Sequence, residues 1–493
     1  MPLLDFGQFA PDLPIFKNPG LSVARNVVPR GVSYGPLPDL TATSTAMTGE
    51  CYGAGVAVDT GHNTWIYSAD STKIYSHVGG VPTDVSKSGG YAPAIDSRWE
   101  FTQFAHNYFI GTDYDDAVQY IAPGGIIFAD LLTSTLKPKA RHLAVVRNFL
   151  VLGNTQDGTD GVRPNRVWWS GINDPTDFDP AAATQCDYED LTGGGWIMRV
   201  IGNREFGLIF TEHNVVRMTY VGPSPIFDFQ AIDEKRGTPI PGSVISHGRR
   251  VYYISQDGFF FTEGAGESIP IGNNRVDRYF WDQFDLANRH RVTAAVDSVR
   301  KLIMWGFPGT GNTSGAPNRI LIYNWVDNKW SDAAVDHELL FSALTQGYTI
   351  DSLDTYSTDI DSLPYSLDSL AWTGGLFRLA GFNTAHRLGT FTGSNLAATF
   401  ETGEPSLGGG RLFRTEYVRP WVDGGTVTAA VAGRKRLVDA VSSYGTAESM
   451  EDDGTIKLVD ENRFQKFRVS VAAGGTWTHA TGIDVEGSVT GDK

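Results

Sequence analysis

Two cysteines in 493 residues, Cys51 and Cys186, are too few for a disulfide framework or a four-ligand zinc site. Both are expected to be free thiols in a chain folded in a reducing cytosol. No Lys or Arg precedes Lys17 and no long apolar core follows the first residues, so no secretory signal is expected there. No stretch approaches the length of a membrane span, so no integral membrane segment is expected. Helical periodicity is scarce, and Asn274 to Leu286 is the best short candidate. The chain has no GxxxxGK[ST], no HExxH and no EF-hand loop. The Gly-rich run from Gly306 to Gly315 has no lysine to reach a phosphate, and suits the tip of a long hairpin. No cofactor, no metal and no catalytic residue is expected. Basic charge is also short: 40 Lys+Arg stand against 56 Asp+Glu, a net of -16. A protein that grips nucleic acid through phosphates would show a basic face instead. Residues 408–493 carry a net of only -1, so about -15 lies in the rest of the chain.

What is present is a recurrent β grammar. In RVIGNREFGLIFTEHNVVRMTYVG (199–222) and SVISHGRRVYYISQDGFFFTEGAGESIPIG (243–272), short apolar runs alternate with polar turns. Asp257-Gly258 between aromatic and β-branched runs is a strong hairpin signal. Similar units start near Gly55, Phe101, Leu143 and Ala294, which with the first two makes six candidate repeats over residues 52–345. Their spacing of ~40–55 residues is that of propeller blades with inserted loops. A polar pair recurs ahead of an apolar strand (His62-Asn63, His106-Asn107, Arg147-Asn148, Asn203-Arg204, Arg249-Arg250, Arg300-Lys301), as solvated hairpin tips require. A further strand group at 372–403 could close the ring or add a blade, and propellers often complete their last sheet with strands from both chain ends.

The fold expected is therefore all-β: a β-propeller of about six blades over 51–403, a smaller β-sandwich or barrel over 404–493, and an extended proline-rich arm over 1–50. Glu404 to Arg411 (EPSLGGGR) is expected to be a linker or tight corner. A long acidic loop is expected at 347–371, where Asp-Ser-Leu recurs three times. Its aspartates lack the glycine and terminal glutamate of a calcium loop and suit turn caps. The arm carries seven prolines in its first 40 residues, which block helix and central strand. Its Phe6, Phe9, Leu13, Ile15 and Phe16 are too apolar for a free tail. They are expected to lie on a surface, either of the same chain or of a partner.

Other chemistry fares poorly. Gly31-Val32-Ser33-Tyr34-Gly35 has the form of a nucleophile elbow, but Pro36 and Pro38 forbid the helix that must follow. Asp113/Asp115/Asp116 and Asp174/Asp177/Asp179 are acidic clusters of the kind glycosidases use, but local spacing cannot place two carboxylates across one bond. Ser255-Gln256-Asp257-Gly258 departs from the Asp-box spacing of propeller sialidases. Trp65, Trp168 and Trp169 are candidate sugar platforms, but buried blade packing is the reading their context favours.

Several phrases together resemble the tail nozzle (tail hub, or tail tubular) proteins of short-tailed bacteriophages. They are ARNVVPRGVSYGPLP at 24–38, RVWWSGINDPTDF at 166–178, VRMTYVG at 216–222 with EKRGTPIPGSV at 234–244, YYISQDGFFF at 252–261, IYNWVDNKWS at 322–331 and RFQKFRVSVAAGGTWTHATGIDV at 463–485. The resemblance implies a propeller with an accessory β-domain and no enzymatic activity. It implies a virion protein, assembled in the host cytoplasm, that forms a homohexameric ring below the portal and its adaptor. Such a ring would hold tail fibres or spikes, meet a tail plug or needle, and conduct and retain genomic DNA until ejection without binding it specifically. The alternatives are a glycan- or receptor-binding tail-tip propeller and a polysaccharide-degrading propeller.

Overall fold

The computed structural model describes residues 3–345, 359 and 375–491. The propeller has seven four-stranded antiparallel blades, six of them separate sheets and one part of a larger sheet. Blade 1 is Gly53–Val58, Thr64–Ala69, Ile74–Val78 and Val81–Asp84. Blades 2, 3 and 4 begin at Glu100, Lys139 and Ile197, and blades 5 and 6 at Ile245 and Thr293. Blade 7 has Leu339–Leu344, Phe377–Phe382 and Arg387–Asn395, and takes Pro38–Ala46 as its outer strand.

Ring closure is visible in the packing. Each pair of neighbouring blades shares an apolar cluster. Tyr67 of blade 1 packs with Phe109 of blade 2, Leu143 of blade 3 with Ile110 of blade 2, and Val200 of blade 4 with Val151 of blade 3. Phe210 then meets Tyr253, Phe259 meets Trp305, Met304 meets Leu340, and Phe341 of blade 7 returns to Ile66 of blade 1. The second strand of a blade is covered on both faces by its neighbours. This is why Phe206–Thr211 and Leu302–Phe307 are buried at every position and read as unbroken apolar runs rather than alternating ones.

The six polar pairs lie where expected, at the tip between first and second strands. Val146 pairs with Phe149 across Arg147-Asn148, and His247 with Arg250 across Gly248-Arg249. The Asp257-Gly258 hairpin is present, with Ser255 opposite Gly258 and Gly258 at φ +127°. The strand group expected at 372–403 adds a seventh blade, whose outer strand comes from residues 38–46. Phe391 pairs with Leu40, and Thr390 with Thr41.

The accessory unit is a sandwich, and none of its sheets closes into a barrel. One layer holds Val27–Arg30, Ser33–Pro36, Ala480–Gly491, Leu412–Val422 and Ile456–Asn462, with Leu3–Asp5 beside Ala480–Gly491. The other holds Leu21–Arg25, Ala398–Thr402, Phe464–Val471, Val427–Arg434 and Glu448–Ser449. Phe400, Phe467, Val469, Val418 and Ile483 fill the space between. The second layer is not separate from the propeller. Leu21–Arg25 runs parallel to Lys329–Ala334, the last strand of blade 6, so blade 6 and this layer form one nine-stranded sheet.

Two boundaries therefore differ from expectation. Ala398–Thr402 belongs to the sandwich, where it pairs with Phe464–Val471. Residues 3–50 are not an arm laid on a surface but contribute strands to both units. Pro29, Pro36 and Pro38 sit on an edge strand or at strand ends, as the missing N–H allows, and Pro11, Pro14 and Pro19 lie between strands. Glu404 to Arg411 is a tight corner: Glu404 is buried against Arg434 (2.6 Å), and Gly408 bridges Arg411. The expected short helix is Asp277–Gln283. Asp12 of the arm accepts from the backbone N–H of Arg278 (2.9 Å) and Tyr279 (2.7 Å), capping that helix from far away in sequence. Apart from Asp359, the acidic loop expected at 347–371 lies outside the described residues. Among the described residues, no helix is long and apolar enough to cross a membrane.

Candidate functional site

The innermost strands of the seven blades start around one axis, and the residues at or just before those starts enclose a cavity of about 580 Å3. Tyr52, Arg98, Arg141, Trp196, Pro241, Arg291 and Glu338 all stand at such positions. Because each wall comes from a different blade, the site is a product of ring closure rather than of any local motif.

Ion pairs cross the cavity between blades. Glu100 of blade 2 accepts from His142 Nδ1 of blade 3 (2.8 Å) and pairs with Arg199 of blade 4. Burial opposes ionisation of Glu100, but Arg199 and His142 overcome it and hold the carboxyl below the usual carboxylate range. Glu338 lies at the start of blade 7. It accepts from the Cys51 N–H (2.9 Å) and from His386 Nδ1 (2.5 Å), and burial still pushes its carboxyl up. Glu50 receives Arg291 (2.6 Å) and Arg98 (3.6 Å), while Arg98 also lies over the Tyr52 ring at 4.2 Å. Burial, with Arg98 and Arg291 close by, lowers the His290 pKa to about 4. That imidazole is therefore neutral at pH 7 and sits in a locally positive field.

The acidic clusters serve local structure. Asp113 is 1% exposed, and burial raises its carboxyl to about 6. Asp115 accepts from Ala94 N (2.8 Å) and Ser97 Oγ (2.9 Å), and Asp116 pairs with Lys87. Asp174 and Asp179 cap backbone N–H groups of Thr176, Thr135 and Leu136. Among the described residues no three His, Cys, Asp or Glu side chains group as metal ligands, and both cysteines are buried free thiols. Ser33 donates to Arg30 O (2.9 Å) and lies 2.8 Å from His479 Nδ1, on a strand with no helix behind it.

The arm residues expected to form an interface divide into two groups. Phe6 and Phe9 are in the chain's own core, with Phe6 stacked on Phe400 at 4.6 Å and Phe9 edge-on to Tyr279 at 5.6 Å. For these two, the surface covered is the chain's own rather than a partner's. Leu13 and Ile15 are half-buried, and Phe16 is exposed. Of the candidate platforms, Trp168 and Trp169 are buried between blades, and Trp65 is half-buried with its Nε1–H on Asp59 (3.2 Å). Sequence reasoning passed over Trp196. It follows Gly193-Gly194-Gly195, which reads as a turn, yet its side chain is 55% exposed at the cavity.

No family model matches the chain, and no curated protein matches it. Among solved structures, the extracellular domain of a hybrid two component system from B. thetaiotaomicron is similar at 11% identity and a TM-score of 0.39. That match covers 78% of this chain and 44% of the other. A likeness so distant carries no functional information.

Proposed function

We propose that this chain is a structural subunit of the tail nozzle of a short-tailed bacteriophage, with no reaction to perform. The observation that carries this reading is where the resembling phrases meet. Residues 24–38, 322–331 and 463–485 are far apart in sequence, yet they build one seam between blade 6 and the sandwich. Ser331 Oγ donates to Val27 O (2.6 Å), and Asn324 Nδ2 to Pro29 O (3.1 Å). Lys329 Nζ lies over the Tyr34 ring at 4.5 Å, and Tyr34 pairs with Ala480. The phrases at 234–244 and 252–261 pack alongside: Thr238 donates to Ile254 O (2.7 Å), and Trp305 of blade 6 to Ser243 O (2.9 Å). Three of the resembling phrases thus build the device that fixes propeller to accessory unit, while those at 166–178 and 216–222 lie in blades 3 and 4. A part that bears load while a genome is held and released needs that fixity.

In this reading six copies form a ring below the portal and its adaptor, hold fibres or spikes, and abut a plug or needle. The propeller's own axis is crossed by ion pairs, so DNA runs down the axis of the ring. Six copies carry -96 formal charges. Over the ~8–10 Å that salt permits, that is a repelling wall to which phosphates do not stick. The cavity carboxylates Glu100 and Glu338, and Glu50 behind its wall, are each paired with a basic side chain, which favours a conduit over a hydrolase.

Electron microscopy of the purified chain mixed with a portal–adaptor complex tests the proposal. A six-fold ring stacked on the adaptor is expected, and separate particles would overturn it. Tight binding of duplex DNA by the ring at ordinary salt would overturn the repelling-wall part alone.

A further inference from the structure

We propose that the axial cavity is a binding site for a carboxylate-bearing sugar, a function no conduit requires. The chain is acidic overall, at -16, but the sign reverses on one wall of this cavity. Arg98 and Arg291 share a single carboxylate, Glu50. Beside them Arg289 lines the same cavity, is exposed, and its guanidinium meets no carboxylate and no hydrogen-bond acceptor among the described residues. Three guanidinium groups thus face two carboxylates, Glu50 and Asp96, and Asp96 also lies 4.0 Å from Arg141.

Trp196, 55% exposed, lines the same cavity. Its backbone is held on both sides by Glu212: Trp196 N–H donates to Glu212 Oε2 (3.0 Å), and Glu212 N–H donates to Trp196 O (3.1 Å). The backbone at Trp196 is therefore held, and the indole is left uncovered. An uncovered indole face suits the C–H face of a pyranose ring, and a spare guanidinium suits a carboxylate, which it grips in fork geometry. A volume of about 580 Å3 suits one or two sugar rings and excludes a duplex or a folded peptide segment. The joint requirement of one stacking face and one anion separates acidic sugars from neutral sugars and from bare anions.

The test is titration calorimetry of the full chain with D-glucuronate, D-galacturonate and N-acetylneuraminate. D-glucose and D-galactose serve as neutral counterparts, and inorganic phosphate as charge alone. At least one acidic sugar is expected to bind ten-fold or more tightly than its neutral counterpart and than phosphate. Arg289→Gln and Trp196→Ala are each expected to weaken it at least ten-fold. Both residues are exposed, so the melting temperature is expected to stay unchanged. Equal binding of neutral sugars or of phosphate would overturn the proposal. So would no acidic sugar binding below 10 mM, or full binding by Arg289→Gln. None of these outcomes touches the nozzle reading, which rests on assembly.

Discussion

Arg25 and Asp332 are joined twice across the seam between sandwich and propeller. Their backbones are paired in the parallel register that makes the nine-stranded sheet continuous, and Arg25 Nη2 lies 3.5 Å from Asp332 Oδ2. The same carboxylate, 2% exposed, also receives Arg319 and the Tyr279 hydroxyl (2.6 Å), and Asn26 N–H donates to the Asp332 carbonyl (2.7 Å). A single side chain thus collects cations and a hydroxyl from the arm, blade 6 and the short helix.

Asp332→Ala leaves two guanidinium groups without their buried counter-charge. A loss of ~3–5 kcal/mol is expected, the usual cost of removing one partner of a buried ion pair. Because the lost group sits at the seam, calorimetry should show the single unfolding transition split into two, sandwich and propeller separately. An unchanged single transition would mean that the seam is held by backbone pairing alone.

The arm gives a sharper contrast. Phe6 is fully buried and stacked on Phe400, so Phe6→Ala is expected to cost ~3–5 kcal/mol in chemical denaturation. Phe16, 42% exposed, should cost less than ~0.5 kcal/mol when changed to Ala. If the chain assembles through this arm, Phe16→Ala is the variant that weakens assembly while leaving the monomer intact.

These two residues also show where sequence reasoning reaches its limit. Phe6 and Phe16 share one apolar, proline-rich stretch, and nothing local separates core from surface there. Local turn chemistry was legible: Ser255-Gln256-Asp257-Gly258 is a hairpin because glycine accepts what that turn demands. Six blades were legible for the same reason, since each is a run of adjacent hairpins. The seventh was legible only as a strand group at 372–403, and its partner strand was not, because Leu40 and Phe391 meet only after the ring has closed. The cavity was invisible for a related reason. Arg98, Trp196 and Arg289 come from three distant segments, each of which reads as an ordinary polar turn.

Asp113 predicts a pH signature. Burial raises its carboxyl to about 6, with Asp116 and Asp115 adding repulsion against one backbone N–H bond from Asp116, and its buried Oδ2 has no hydrogen-bond partner among the described residues. Between its ordinary value near 4 and about 6, the folded chain holds the proton more tightly than the unfolded chain. This group's contribution therefore falls as pH rises through that window and is flat above it. Asp113→Asn keeps the acceptor and removes the charge. The variant should match the wild type at pH 4 and exceed it by ~1–3 kcal/mol at pH 7, an order set by 1.36 kcal/mol per tenfold change in proton affinity. Urea unfolding across pH 4–8 checks this, and a difference that does not grow with pH would contradict it.

Mass photometry of the purified chain, alone and with a portal–adaptor complex, tests the nozzle reading most directly. The account predicts a species of six times the 53.7 kDa chain mass, free or added to the adaptor complex. A particle that stays at the mass of one chain at every concentration, and does not change the adaptor complex's mass, would contradict it.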